Sequence, residues 1–346
     1  MSGRRFLFPR APRRVYWETT RACGLVCRHC RADAVSTPHP DELTAAEGLR
    51  LLDDLARFGR PLPHVVFTGG DPLERADLFY LIRHARGLGL GVSVAPSATP
   101  RLDADAIAAL KMAGAQSISL SLDGASAAHQ AAVRGVPGCY ARTIEAAIEA
   151  RTAGLPFQIN TLVSAETVDD LALIHEQTVK LGAARWSLFF LVTVGRGAVL
   201  EQIAPKRFRQ VLEWLLTLPT TGGPIVATTE GPQLRRLQFE RSDGARVAGA
   251  GIRDGNGIMF VSHTGDIRPS GFLPLSAGNV RRDDIVTVYR TSSLFRRLRR
   301  PDDFGGRCGA CRYRDVCGGS RARAFAASGD PCGEDPLCPP ELFAAA

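Results

Sequence analysis

Lysine is almost absent. Of 43 basic residues only Lys111, Lys180 and Lys206 are lysines, and the rest are arginines. Long apolar runs are absent too: none approaches the roughly 18 residues that a membrane-spanning helix needs. The first 14 residues carry Arg4, Arg5, Arg10, Arg13 and Arg14 without an apolar stretch of signal-peptide length, so no secretion signal is expected and the expected compartment is the cytoplasm. No zinc finger, basic zipper or RNA-recognition motif is present, and the arginines are spread along the chain, which argues against a nucleic-acid partner. No cysteine lies between Cys139 and Cys308.

What is present fits a soluble globular protein: 346 residues, 45% apolar and 23% charged, with a net charge of +8. The arginine excess reads first as a compositional preference for Arg over Lys. A charge of one sign also steers an anionic substrate or an acidic electron donor.

Short apolar runs at 15–18, 64–67, 91–95, 116–122, 157–162 and 185–191 read as strands. Between them, 44–58, 77–88, 103–112, 140–153 and 168–181 read as helices, and 205–218 as a further one. Gly89, Gly114, Gly154 and Gly182 follow helical stretches, where a left-handed cap favours glycine. Regular alternation of this kind predicts a parallel sheet with right-handed crossovers. Residues 258–268 read as a small hairpin, whereas 221–257 show no clear pattern. From Gly305 the chain is rich in Cys, Gly and Arg with little apolar periodicity, and such a segment needs a metal to organise it.

The nine cysteines fall into two groups and one isolated residue, Cys139. Tight clusters without a secretion signal favour metal binding over disulfides. The first group is Cys23, Cys27 and Cys30, directly after the first strand. Three thiolates can hold three irons of one cubane and leave the fourth iron open to a bidentate small molecule. Zinc would require a fourth ligand, for which only His29 is near.

This C-x3-C-x2-C pattern, with His29 before the third cysteine, resembles the radical S-adenosylmethionine (SAM) enzymes. The resemblance implies a partial (β/α)6 barrel of the TIM type over roughly residues 12–220. It also implies a 4Fe-4S cluster on Cys23, Cys27 and Cys30 that binds SAM and splits it to a 5′-deoxyadenosyl radical. Gly69, Gly70 and Asp71, in the Thr68–Pro72 segment after the second strand, are similar to the motif that holds the SAM amino group, with Asp where Glu is common. Ser119, Ser121 and Asp123 on the fourth strand, Asn160 on the fifth, and Arg134, near the expected SAM carboxylate, are the other candidate cofactor contacts.

The second group, Cys308-x2-Cys311-x5-Cys317-x20-Cys338, suits an iron–sulfur cluster, and zinc would accept the same four thiolates. Beside the first motif it resembles the SPASM or twitch extensions that carry auxiliary clusters. With no upstream cysteine, one auxiliary 4Fe-4S cluster is expected, two clusters in all. Cys332 is surplus, because Asp335–Pro339 resembles the family's closing motif around Cys338. The expected fold is α/β, divided into an N-terminal segment 1–14, a partial barrel 15–220 and a cysteine-rich, SPASM/twitch-like iron–sulfur extension 221–346.

Residues 269–274, 278–280 and 317–330 resemble the haem-biosynthesis branch, which implies hydrogen abstraction and oxidative decarboxylation of a carboxylated, iron-coproporphyrin-like substrate. The electron would come from a low-potential donor such as flavodoxin or ferredoxin. Maturation of a ribosomal peptide and decarboxylation of a uronic-acid sugar or nucleoside are the enzymatic alternatives. An iron–sulfur or zinc binding module is the non-enzymatic one.

Overall fold

The computed structural model describes residues 6–242, 247 and 249–344. Arg4 and Arg5 of the basic N-terminal segment lie outside the described residues.

Six parallel strands follow one another in sequence order: β1 (Arg14–Glu18), β2 (His64–Thr68), β3 (Gly91–Val94), β4 (Ser117–Ser121), β5 (Phe157–Val163) and β6 (Arg185–Phe190). This is the expected alternation, and each crossover carries helix. A seventh parallel strand, β7 (Ile225–Thr229), adds to β6. On the other side β9 (Gly257–Val261) pairs parallel with β1. The short strands β8 (Arg253–Asp254), β10 (Asp266–Arg268) and β11 (Gly278–Asn279) complete that edge. The hairpin expected at 258–268 is the antiparallel β9–β10 pair. The chain from β7 onward therefore extends both edges of the six-strand sheet.

Side chains alternate between the two faces of each strand, and the packing shows which face is which. Trp17 of β1 lies against Phe67 of β2, and a Cβ at Gly48 would sit 2.7 Å from the Trp17 ring. Gly48 belongs to α1 (Ala45–Ala56), so Val15 and Trp17 face the helical layer and Arg14, Tyr16 and Glu18 face the lumen. Trp186 of β6 likewise contacts His175 and Trp214 from two helices, which leaves Arg185, Ser187 and Phe189 on the lumen side. The helix-facing residues of β1–β6 form one continuous apolar core.

Several helical elements differ from the sequence expectation. A helix at Ala127–Arg134 has Ser126 accepting from the His129 amide and Gly135 as a left-handed cap at φ 74°. Helix Gln233–Arg241 follows β7 in the stretch without a clear pattern. Helix Arg321–Ser328 runs through the cysteine-rich tail. The helix expected at 168–181 begins with a 3-10 turn, Val168–Asp170, before the α-helix Leu171–Leu181.

Candidate active site

The first cysteine loop leaves the end of β1 and is held down from several sides. The Cys23 amide donates to Val35 O at 2.8 Å. The Gly70 and Asp71 amides donate to Thr20 O and Ala22 O at 2.8 and 2.7 Å, which ties the loop after β2 to the cysteine loop. That approach requires glycine: a Cβ at Gly70 would lie 2.2 Å from Ala22 O, and one at Gly69, whose φ is +149°, would lie 2.4 Å from Thr20 O. Arg196, which the sequence did not single out, clamps the same loop by donating to Cys27 O at 2.9 Å and Ala34 O at 2.8 Å. Cys23, Cys27 and Cys30 pack in one cluster with Leu25, Ala34 and Cys139.

A cavity of about 170 Å³ opens beside this cluster at the carboxyl ends of β2–β5. Gly69, Gly70, Ser119, Ser121, Arg134 and Asn160 all line it, so residues 91 positions apart in sequence meet at one place. Ser97, Gln130 and Cys139 also line it. Ser97 Oγ donates to Gly70 O at 3.0 Å and lies 3.4 Å from Cys23 Sγ. Gln130 accepts from the Asp123 amide at 2.7 Å and donates to Ser121 O at 3.0 Å, which fixes the end of β4. Neither residue carries a short motif, so only the fold reveals them.

Asp71 and Asp123, expected as direct cofactor contacts, do not line the cavity. Asp71 is fully buried, and its carboxylate accepts from the Leu73 amide (3.1 Å), the Ser97 amide (3.3 Å) and Thr99 Oγ1 (2.9 Å). It joins the glycine loop to the loop after β3. Burial pushes its pKa up, and those donors oppose the shift. Asp123 accepts from the Leu162 amide at 2.6 Å and pairs with the buried Arg134 guanidinium. Arg134 also reaches Cys27 Sγ at 3.7 Å, so one cation serves a carboxylate and a thiol at the cavity wall. Burial raises the Cys23 and Cys27 pKa values, and for Cys27 the adjacent Arg134 works against that rise.

The second cysteine group is brought together as expected. Cys308, Cys311, Cys317 and Cys338 line one small cavity with Gln233, Arg236 and Arg307, whereas Cys332 does not. Cys332 is fully buried among Leu273, Leu298, Phe304 and Ala322. Backbone amides donate to three of the sulfurs: Asp335 to Cys308 (3.4 Å), Tyr313 to Cys311 (3.4 Å) and Gly319 to Cys317 (3.5 Å). Arg321 reaches Cys308 Sγ at 3.4 Å and Arg236 reaches Cys311 Sγ at 3.8 Å. Burial pushes the Cys317 thiol up to about 12, so a bound cation is what would keep this group deprotonated. Among the described residues no three His, Cys, Asp or Glu side chains converge on a single ion. The sulfurs border a space, which suits a cubane held by thiolates and amide donors.

The comparisons with known proteins agree with this arrangement. The radical SAM superfamily profile matches residues 17–177. A protein of Oleidesulfovibrio alaskensis named AdoMet-dependent heme synthase is 38% identical over 341 residues, covering 95% of this chain and 87% of the relative. A Methanosarcina barkeri protein named Fe-coproporphyrin III synthase is 30% identical over 350 residues, covering 94% of this chain and 87% of the relative. In fold, the chain is similar to the solved structure of anSMEcpe with bound AdoMet, with a TM-score of 0.74 at 14% identity over 95% of both chains. A cysteine loop after β1, a glycine loop after β2 that touches it, a cavity between them and these likenesses lead to one assignment: the chain belongs to the radical SAM superfamily, iron–sulfur enzymes that use SAM and a 4Fe-4S cluster.

Proposed function

We propose that this protein is a radical SAM decarboxylase of a haem precursor, acting on the propionate side chains of an iron-coproporphyrin-like tetrapyrrole. The observation that carries the substrate class is the 38% identity to AdoMet-dependent heme synthase over 95% of this chain. In this reading Cys23, Cys27 and Cys30 hold the SAM-binding cluster, and Cys308, Cys311, Cys317 and Cys338 hold an auxiliary one. Bound there, the two clusters would supply the electron that splits SAM and take up the electron released as each propionate loses a hydrogen atom and carbon dioxide.

The chain's own residues do the positioning. The Gly69 and Gly70 backbone and Ser97, which border the cavity, would face the SAM amino group. Ser119, Ser121 and Asn160 offer hydroxyl and amide groups to a ribose. Arg134 supplies a guanidinium suited to a carboxylate, held in place by Asp123. The test is anaerobic turnover with iron-coproporphyrin III, SAM and a low-potential reductant such as reduced flavodoxin, read by mass spectrometry. Vinyl products formed together with 5′-deoxyadenosine support the reading. Abortive SAM cleavage without any porphyrin product sinks the substrate assignment and leaves peptides and uronates to be tried.

A further inference from the structure

The arginines around the second cysteine group are of two kinds. Arg236, Arg307 and Arg314 line its cavity, and each is paired with a carboxylate, Glu240, Glu334 and Asp302 respectively. Arg253 of β8 and Arg321, which opens helix Arg321–Ser328, are buried, yet among the described residues neither forms an ion pair with an acid. The Arg321 guanidinium donates to three carbonyls, Gly319 O (3.4 Å), Pro331 O (3.3 Å) and Gly333 O (2.7 Å), and to Cys308 Sγ at 3.4 Å. Arg253 donates through Nη1 to Gly251 O at 3.2 Å and Asp315 O at 3.5 Å, and its Nε and Nη2 are buried without a partner. Two acids are near. Asp335 is engaged by Arg323 through both carboxylate oxygens. Burial, and then Arg321, push the Arg253 pKa down to about 10, against which Cys317 acts first and Asp315 after it.

Two successive glycines bring these cations to the sulfurs. Gly318 and Gly319 follow Cys317 with φ of +69° and +64°. A Cβ at Gly318 would sit 3.2 Å from Arg253 Nε, and one at Gly319 would sit 2.5 Å from Arg321 Nη2 and 2.9 Å from Cys308 Sγ. The close approach therefore depends on both positions lacking a side chain. Phe304 supports both guanidiniums, whose Cζ atoms lie 4.5 Å (Arg321) and 5.2 Å (Arg253) from its ring centroid. Burying two cations without carboxylate partners is unfavourable unless another anion lies beside them, and four thiolates holding a cubane form such an anion.

We propose that Arg321 and Arg253 raise the reduction potential of the auxiliary cluster and so fit it to accept the substrate's electron. A cubane on four thiolates is anionic and gains one more negative charge on reduction, so fixed cations beside it stabilise the reduced form more than the oxidised one. The electron balance is that of the proposed decarboxylation. After hydrogen abstraction the substrate radical breaks its bond to the carboxylate carbon, forms a carbon–carbon double bond and releases carbon dioxide. One electron is left over, and the cluster is reduced by that one electron. The first cysteine group lacks an equivalent device, because Arg134, which reaches Cys27 Sγ, is already neutralised by Asp123.

This inference rests on the auxiliary-cluster reading, and the experiment separates the two. Iron and zinc are first counted in the anaerobically reconstituted parent. The midpoint potential of the auxiliary cluster is then measured by redox titration followed by electron paramagnetic resonance, in the Cys23→Ala/Cys27→Ala/Cys30→Ala chain so that only this cluster reports. Arg321→Gln and Arg253→Gln are each expected to shift the reduction equilibrium roughly tenfold to a hundredfold towards the oxidised form, a fall of about 60–120 mV. Arg321→Lys and Arg253→Lys keep the charge and should recover most of that fall. Unchanged potentials in both Gln variants with the cluster intact overturn the proposal alone, as does a fall that the Lys variants do not relieve. If Arg321→Gln fails to hold iron, Arg253→Gln, which removes no hydrogen bond to a sulfur, decides. Loss of iron in both marks the arginines as structural and overturns the proposal too. A parent with only about four irons per chain, or with zinc in the tail, overturns the auxiliary-cluster reading and this inference together.

Discussion

Glu18 shows how one lumen residue is held charged. Its side chain is buried, which works against the carboxylate, yet His263 at 2.7 Å and Arg31 at 2.8 Å outweigh burial and pull its pKa down to about 2. Because the folded value lies below the ordinary one, the associated stability is present above about pH 4.5 and is lost as pH falls through about 2. The shift corresponds to about 3 kcal/mol. Glu18→Gln should therefore lower stability by roughly that amount at pH 7, and the gap to the parent should shrink between pH 5 and 2. Urea unfolding across that range checks it, and a gap that does not vary with pH would refute the assignment. Arg31 directly follows Cys30, so this cluster also anchors the far end of the cysteine loop. Charged residues of this kind were not legible in the sequence. With 43 basic residues present, no single arginine stands out until the fold gives it a partner.

At the scale of elements, legibility followed pattern strength. Strands β1–β6 were readable because each is a compact apolar run between glycine-marked helix ends, and Gly89, Gly114, Gly154 and Gly182 all adopt positive φ. Helix Ala127–Arg134 is only eight residues long, with a single large apolar side chain, Val133, so its periodicity is too weak to see. Helix Gln233–Arg241 buries Gln233 and Arg236 alongside Leu234, which inverts the apolar stripe that sequence reading relies on. The glycine loop after β2 was found by its motif, but its physical reason is the contact with the cysteine loop. Gly70→Ala forces a Cβ against Ala22 O and Arg21 O, both backbone, at 2.2 and 2.7 Å. Such overpacking costs about 1–3 kcal/mol, and here the strain falls on the cysteine loop. The variant should lose SAM affinity and retain iron poorly. Gly87→Ala, in a helix with nothing within 4 Å of the new Cβ, should be neutral or stabilise by up to about 1 kcal/mol. Isothermal titration with SAM and iron analysis of both variants test the contrast, and equal behaviour of the two would contradict it.

For the whole molecule, the two cysteine groups occupy opposite ends of the sequence, and the sheet joins them. Strand β9 lies on β1, whose end carries the first group, and helix Arg321–Ser328 docks on β8 through the Ala322 amide and Asp254 at 2.9 Å. The tail has few apolar residues of its own, and it is organised instead by buried polar contacts. Asp335 accepts from Arg323 at 2.8 Å, the Ser320 amide at 2.8 Å and Gln233 at 2.9 Å. This network sets the Cys338 loop against Cys308 and Cys317, while Cys332 is left in apolar packing. Cys332→Ala should accordingly keep its iron and lose about 1 kcal/mol or less, since little volume is removed from the packed site. Cys338→Ala should lose the auxiliary cluster, close to half of the roughly eight irons that two cubanes contain. SAM cleavage should persist in Cys338→Ala, because the first cysteine loop is tied to β1, β2 and Arg196 and makes no use of the tail's sulfurs. Product formation should fall far more than cleavage does, because in the proposed reaction the auxiliary cluster takes up the electron released from the substrate. Iron content, 5′-deoxyadenosine and substrate-derived product, measured on both variants, decide the matter. Loss of the cluster in Cys332→Ala with retention in Cys338→Ala would reverse the ligand assignment, and equal loss of both clusters in Cys338→Ala would show that the two sites do not assemble independently.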